Sequence, residues 1–269
     1  SIIVSKYLEK IGVDYFAVAY VKEGVALRES GVKTPILVLH PQSNNLKLAI
    51  QYLLEPSLYS LKLLTEFEKA AFDCGVTDYP VHIKFNTGLN RLGFRECDIN
   101  LVLDSFVESN LLKVRSVFSH LAASEDLNEK EFTENQLALF QSLSKKFITH
   151  FNYPIIRHLC NTSGVLNYPD AHFDMVRCGI GLYGYGNFNK NAHKLTPAAS
   201  LKSIVSQVFN TASGETVGYN RGHVCKFDSK IATIPLGHAD GIGRQYGNGV
   251  GAVFINHKKA NIIGNVCMD

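Results

Sequence analysis

The polar residues that follow the apolar runs of this sequence are almost all hydrogen-bond donors. In chain order they are Lys84 with Asn86, Thr87, Gly88 and Arg91, then Ser119 and His120, then His158 with Asn161, Thr162 and Ser163, then Arg177 with Gly179, Ile180 and Gly181. Backbone N–H groups at glycine turns, hydroxyls, an amide, imidazoles and guanidinium groups together suit a phosphate-bearing cofactor with a polar ring. The same stretches offer no carboxylate cluster for a divalent metal. The six cysteines, at 74, 97, 160, 178, 225 and 267, form no Cys-x-x-Cys pair. Each group also has a structural reading. A single histidine at a strand end usually hydrogen-bonds within the fold, Arg177 equally fits a surface ion pair, Asn161 to Ser163 fits a helix N-cap, and Lys84 and Arg91 fit two solvated cations.

These groups need a scaffold that gathers strand ends on one face. From Ser1 to about residue 190, short apolar runs alternate with stretches at helical spacing, the pattern of a parallel βα architecture. Strands are predicted over 14–19, 34–39, 52–55, 81–85, 114–121, 155–160 and 173–177, and helices over 24–30, 44–51, 61–72, 96–109 and 128–151. Residues 2–11 read as an amphipathic helix with Ile3, Tyr7, Leu8 and Ile11 on one face, expected to follow a strand lying before Ser1. Seven strands and that one make the eight of a closed (β/α)8 barrel, and the G-x-G-x-x-G of an open dinucleotide-binding sheet is absent. Beyond Leu195, alternating runs over 201–209, 216–219, 230–236, 252–255 and 260–266, punctuated by glycines, predict an all-β second domain. The expectation is therefore a barrel lacking its first strand over 1–195 and an incomplete β-domain over 196–269, cut at both ends.

Composition narrows the classes. Of 269 residues, 46% are hydrophobic and 19% charged, with a net charge of +3, which fits an ordinary globular protein and leaves no electrostatic footprint for nucleic acid. No window reaches the roughly 18 apolar residues of a membrane span, and no secretory signal opens the chain. The cysteines read as reduced thiols of a cytoplasmic protein.

The stretches 84–94 (KFNTGLNRLGF), 119–126 (SHLAASED), 158–164 (HLCNTSG), 174–183 (DMVRCGIGLY), 217–221 (VGYNR), 234–241 (IPLGHADG) and 264–269 (GNVCMD) resemble, in that order, alanine racemase. The resemblance implies a fold-type III pyridoxal-phosphate isomerase, a barrel followed by a β-domain, acting as a homodimer whose sites are shared. It would interconvert L- and D-alanine for peptidoglycan. Racemisation removes the α-proton from one face of a planar carbanion and returns it on the other, so two opposed bases are natural. Tyr219 matches the tyrosine base that enters from the other subunit. The opposing Schiff-base lysine lies, in the family, at the end of the first barrel strand, and no lysine present matches it, so the chain by itself is expected to be inactive.

The remaining roles also follow from the resemblance. A tyrosine with a reference pKa of about 10 needs help to act near neutrality; the family's relay runs to a histidine, here His120, and on to an arginine that the motifs leave unassigned. Arg177 matches the arginine on the cofactor's pyridine nitrogen. Asn161, Thr162, Gly179 and Ile180 match the phosphate-binding turns, Thr162 standing where serine is more common. Arg91 and the Met268 N–H match the contacts to the substrate carboxylate. Lys84 matches a lysine that is commonly carbamylated, which would turn it into an anion able to pair with Arg91, although Asn86 and Leu89 stand where Asp and Met are common. The alternatives are a racemase acting on serine, lysine or arginine, a cofactor carrier sharing the barrel, and a non-catalytic fragment of a cell-wall ligase–racemase fusion.

Overall fold

The computed structural model describes residues 2–186 and 195–269, with the side chains of Val107 and Glu108 left out. Two compact units divide the chain, Ser1–Ala198 and Ala199–Asp269. In the first, six strands form one parallel sheet: β1 (Phe16–Val18), β2 (Ile36–Val38), β3 (Glu55–Leu58), β4 (Tyr79–Lys84), β5 (Leu112–Phe118) and β6 (Ile156–His158). Seven helices accompany them: α1 (Ile2–Lys10), α2 (Val21–Glu29), α3 (Leu46–Gln51), α4 (Leu61–Asp73), α5 (Ile99–Glu108), α6 (Lys130–Ile148) and α7 (Thr162–Asn167). The strands neighbour one another in strict chain order, with no reversal of the kind that creates a doubly wound sheet. The unit is a half-barrel of the (β/α)8 type. Phe67, Phe85, Phe94, Phe140 and Phe147 pack between the sheet and its helices as the main core, and Ile36, Val38 and Leu54 belong to a second cluster. No helix among the described residues is long and apolar enough to cross a membrane.

Two strand expectations are corrected. The run 52–55 does not pair as read, because Tyr52 caps α3 and Leu53 turns left-handed at φ 52°, so that β3 starts at Glu55. The run 173–177 forms no strand. Phe173 has φ 51°, and the Asp174 carboxylate accepts the Arg157 N–H of β6 at 2.8 Å, leaving one isolated bridge between His158 and Met175.

The second unit consists of antiparallel pairs: β7 (Gln207–Thr211) with β10 (Ser229–Thr233), β8 (Thr216–Val217) with β9 (His223–Val224), and β11 (Ala252–Ile255) with β12 (Lys258–Asn261). Expected strands 201–209 and 260–266 are shifted. Ser206 makes its bond to Thr233 just ahead of β7, and from Ile262 onward the chain pairs with the 248–251 loop instead of extending the hairpin.

Candidate active site

The ends of β4, β5 and β6 bring their terminal side chains around one ring. Phe118 ends β5, with the Lys84 ammonium 5.7 Å and the Arg177 guanidinium 5.2 Å from its centroid. The His158 imidazole, at the end of β6, stacks on the same ring at 4.8 Å. Arg177 is the hub. Its Nη1 donates to His158 Nδ1 at 2.5 Å, and its Nη2 donates to the carbonyls of Ser119 at 2.6 Å and Leu159 at 3.0 Å and to His120 Nδ1 at 3.3 Å. A guanidinium carries five N–H donors, so its Nε–H and one Nη1–H have no acceptor among the described residues. The surface-ion-pair reading of Arg177 fails, and the arginine beside His120, unassigned in the sequence, is Arg177 itself.

These cations share no described anionic partner. Every ion pair among the described residues lies elsewhere, on Asp73, Glu66, Glu55, Glu134 and Asp174. Burial, then Arg91 and Arg177, pulls the Lys84 ammonium down to about 8. Burial followed by Arg177, Arg91 and Lys84 pulls His120 down to about 4, and His158 falls well below the usual imidazole range through burial and the Arg177 charge. Burial takes even Arg177 down to about 10. Near neutrality the rim holds neutral imidazoles and crowded cations, an arrangement that an anion would relieve.

Anion-suited turns flank the hub. Thr162 Oγ1 accepts the N–H groups of Gly179 and Gly181, both at 3.1 Å, while the Ile180 N–H between them has no described acceptor. Gly181 is required there, since a Cβ would stand 2.8 Å from Thr162 Cγ2. Asn161 caps α7 by accepting the Gly164 N–H at 2.9 Å, so the N-cap reading holds. On the other side, the loop after Lys84 folds back on itself: Phe94 N–H donates to the Lys84 carbonyl and Asn86 N–H to the Phe94 carbonyl, both at 2.8 Å. This return passes through Gly93, at φ 128°, where a Cβ would meet the Phe85 carbonyl carbon at 2.6 Å. Arg91 is exposed on that loop. The structure thus gathers Lys84, His120, Arg177, Asn161, Thr162, Gly179 and Ile180 at one end of the half-barrel. Tyr219 and Met268 belong to the second unit. There Tyr219 is exposed in a turn that places Gly222 close to Asn265, and the Met268 carbonyl accepts the Ala239 N–H at 3.0 Å.

Residues missed in the sequence hold the hub from below and behind. Gln136 of α6 accepts the Ala122 N–H at 2.9 Å and donates to the His120 carbonyl at 3.4 Å. His82 and Ser116 lie wholly buried inside the half-barrel, Ser116 at hydrogen-bond distance from His158. For His82 the sequence carries a signal: a histidine flanked by Val81 and Ile83 in the interior of β4 is costly to bury unless it has partners.

The comparison with known families decides the kinship. The model described as alanine racemase, N-terminal domain, matches residues 2–187, and that of the alanine racemase C-terminal domain matches residues 198–269. The chain belongs to the alanine racemase family. A relative named alanine racemase, from Thermodesulfovibrio yellowstonii, is 34% identical over 99% of this chain and 69% of its own length. Among solved structures, the alanine racemase of Clostridium difficile matches with a TM-score of 0.87 at 29% identity, covering 100% of this chain and 70% of that one. The Bartonella henselae alanine racemase with covalently bound pyridoxal phosphate matches with a TM-score of 0.83 at 25% identity, covering 100% and 73%. Membership makes the protein an isomerase of the racemase type. The rim fits the group named for the Bartonella protein: free guanidinium donors suit a ring nitrogen, and the Thr162 turn with the open Ile180 N–H suits a phosphate.

Proposed function

We propose that this chain supplies the pyridoxal-phosphate-binding β4–β6 rim of an alanine racemase that interconverts L- and D-alanine in the cytoplasm for peptidoglycan and works as a homodimer with shared sites. The observation that carries the reading is the Arg177 hub, fixed by four acceptors of its own unit while two of its donors have no acceptor among the described residues. Pyridoxal phosphate supplies an electron sink for a carbanion at the amino-acid α-carbon. Arg177 offers donors only, so it would hold the ring nitrogen in its unprotonated form, a choice that would temper the electron sink. Thr162, with the Gly179, Ile180 and Gly181 backbone, would receive the phosphate, and Asn161 sets the start of α7 beside it.

The protein's own groups then divide the proton work. His120 accepts from Arg177 at Nδ1, so in its neutral form the proton sits on Nε2, which is then a donor. A phenolate oxygen brought to that donor is stabilised, and Tyr219 of the partner subunit would present one. Arg91 and the Met268 N–H would hold the substrate carboxylate. Lys84, the buried lysine beside Arg91 and Arg177, is the one whose carbamylation would resolve the local crowding of positive charge. No lysine of this sequence takes the role of the covalent anchor in this reading. A racemase must accept both hands of its substrate, which gives the test. The stable secondary-amine conjugates of pyridoxal phosphate with L- and D-alanine should bind the 269-residue chain with affinities within about tenfold of each other, and borohydride treatment of the chain with pyridoxal phosphate should leave no single lysine modified. Strong preference for one hand, for conjugates of serine, lysine or arginine, or a uniquely reduced lysine would each count against it.

A further inference from the structure

A line of hydrogen bonds crosses the half-barrel interior from the Arg177 hub to the far side of the sheet. Ser116 Oγ of β5 lies 2.8 Å from His158 Nε2 and 2.5 Å from His82 Nδ1. His82 Nε2, on β4, lies 2.9 Å from Glu55 Oε2 on β3, and that same oxygen accepts the Tyr15 hydroxyl at 3.0 Å. Tyr15 in turn accepts from Arg115 Nε at 3.1 Å. Barrel register sets this up, pairing His82 with Ser116 across β4 and β5. His82, Ser116 and His158 are fully buried, so each proton in the line must point at an acceptor.

Only one polarity satisfies every member. Arg177 can only donate, which makes His158 Nδ1 a lone pair and puts the proton of the neutral ring on Nε2. That proton goes to Ser116 Oγ, whose own hydroxyl proton then has one described acceptor left, His82 Nδ1. The proton of His82 consequently sits on Nε2, where the Glu55 carboxylate, an acceptor only, receives it. The reverse polarity would set an N–H of His158 against a guanidinium N–H. We infer that Glu55 is a positioning residue for the racemase reaction: through His82 and Ser116 it locks His158 in the tautomer that accepts Arg177, and so holds the guanidinium in place on the rim. Its purpose rests on the proposed racemase reading; its geometry does not.

Imidazole 15N shifts read tautomers directly and need no cofactor. In the full chain labelled with 15N-histidine, and assigned with His82→Gln and His158→Gln variants, both rings should show an unprotonated Nδ1 and a protonated Nε2. Glu55→Gln, which keeps an acceptor oxygen, should preserve both patterns. Glu55→Leu should lose the single pattern at His158, giving the opposite tautomer or a mixture, and Ser116→Ala should lose it at His158 while His82 keeps its own. A protonated Nδ1 at His158, an imidazolium pattern at His82 in the unaltered protein, or a His158 pattern unchanged in Glu55→Leu would overturn the inference. Loss of the racemase reading would show instead as absent binding of pyridoxal phosphate, with the tautomers intact.

Discussion

Lys84 is only 6% exposed, and its ammonium shares the rim with Arg91 and Arg177. Its pKa of about 8 lies below the ordinary lysine value, so between about pH 8 and 10.5 the unfolded chain binds more protons and stability rises with pH. Below about pH 8 the full penalty is present. Urea unfolding at pH 7.5 and 10 should show this rise in the unaltered protein and none in Lys84→Met, which should also be the more stable of the two at pH 7.5. His120, pulled to about 4, acts in a lower window: stability should fall as pH drops from about 6.5 to 4, and His120→Gln should flatten that limb. At this scale the sequence was legible where the motifs were contiguous. Lys84, His120, Thr162 and Arg177 could be read from short runs, whereas the linkage of His82 to Ser116 and Glu55 could not. Their partnership depends on register across three strands, which no local pattern encodes.

Elements position these groups through a few tight returns. The loop from Lys84 to Phe94 is held to β4 at Gly93, where both the left-handed φ and the neighbouring Phe85 backbone exclude a side chain. Gly93→Ala should cost about 2 kcal/mol or more in the urea midpoint and displace Arg91. Thr162→Val removes the acceptor of two backbone N–H groups and should cost about 1–3 kcal/mol. The βα rhythm made most elements of the first unit readable, since α4 carries a clear apolar stripe and β1 and β2 are apolar throughout. Strand boundaries failed where a side chain or a left-handed residue replaced the ladder, as at Leu53 and at Asp174. In the second unit the runs 201–209 and 260–266 had suitable alternation, but turn geometry at their ends decided which residues paired.

Across the whole molecule, the half-barrel and the β-unit carry the two halves of one family, and both family matches run in chain order. The half-barrel contributes a rim of donors and cations with no anionic side-chain partner among the described residues, which is the physical ground for proposing a phosphate-bearing cofactor there. Binding to the folded state alone should raise stability, by about 2.7 kcal/mol at a hundredfold excess of pyridoxal phosphate over Kd. Equilibrium titration of the chain with pyridoxal phosphate, repeated on Arg177→Ala and Thr162→Val, tests the central claim most directly. Saturable binding weakened by about tenfold or more in each variant is expected; no saturable binding, or an affinity that neither substitution changes, would contradict a cofactor held on this rim.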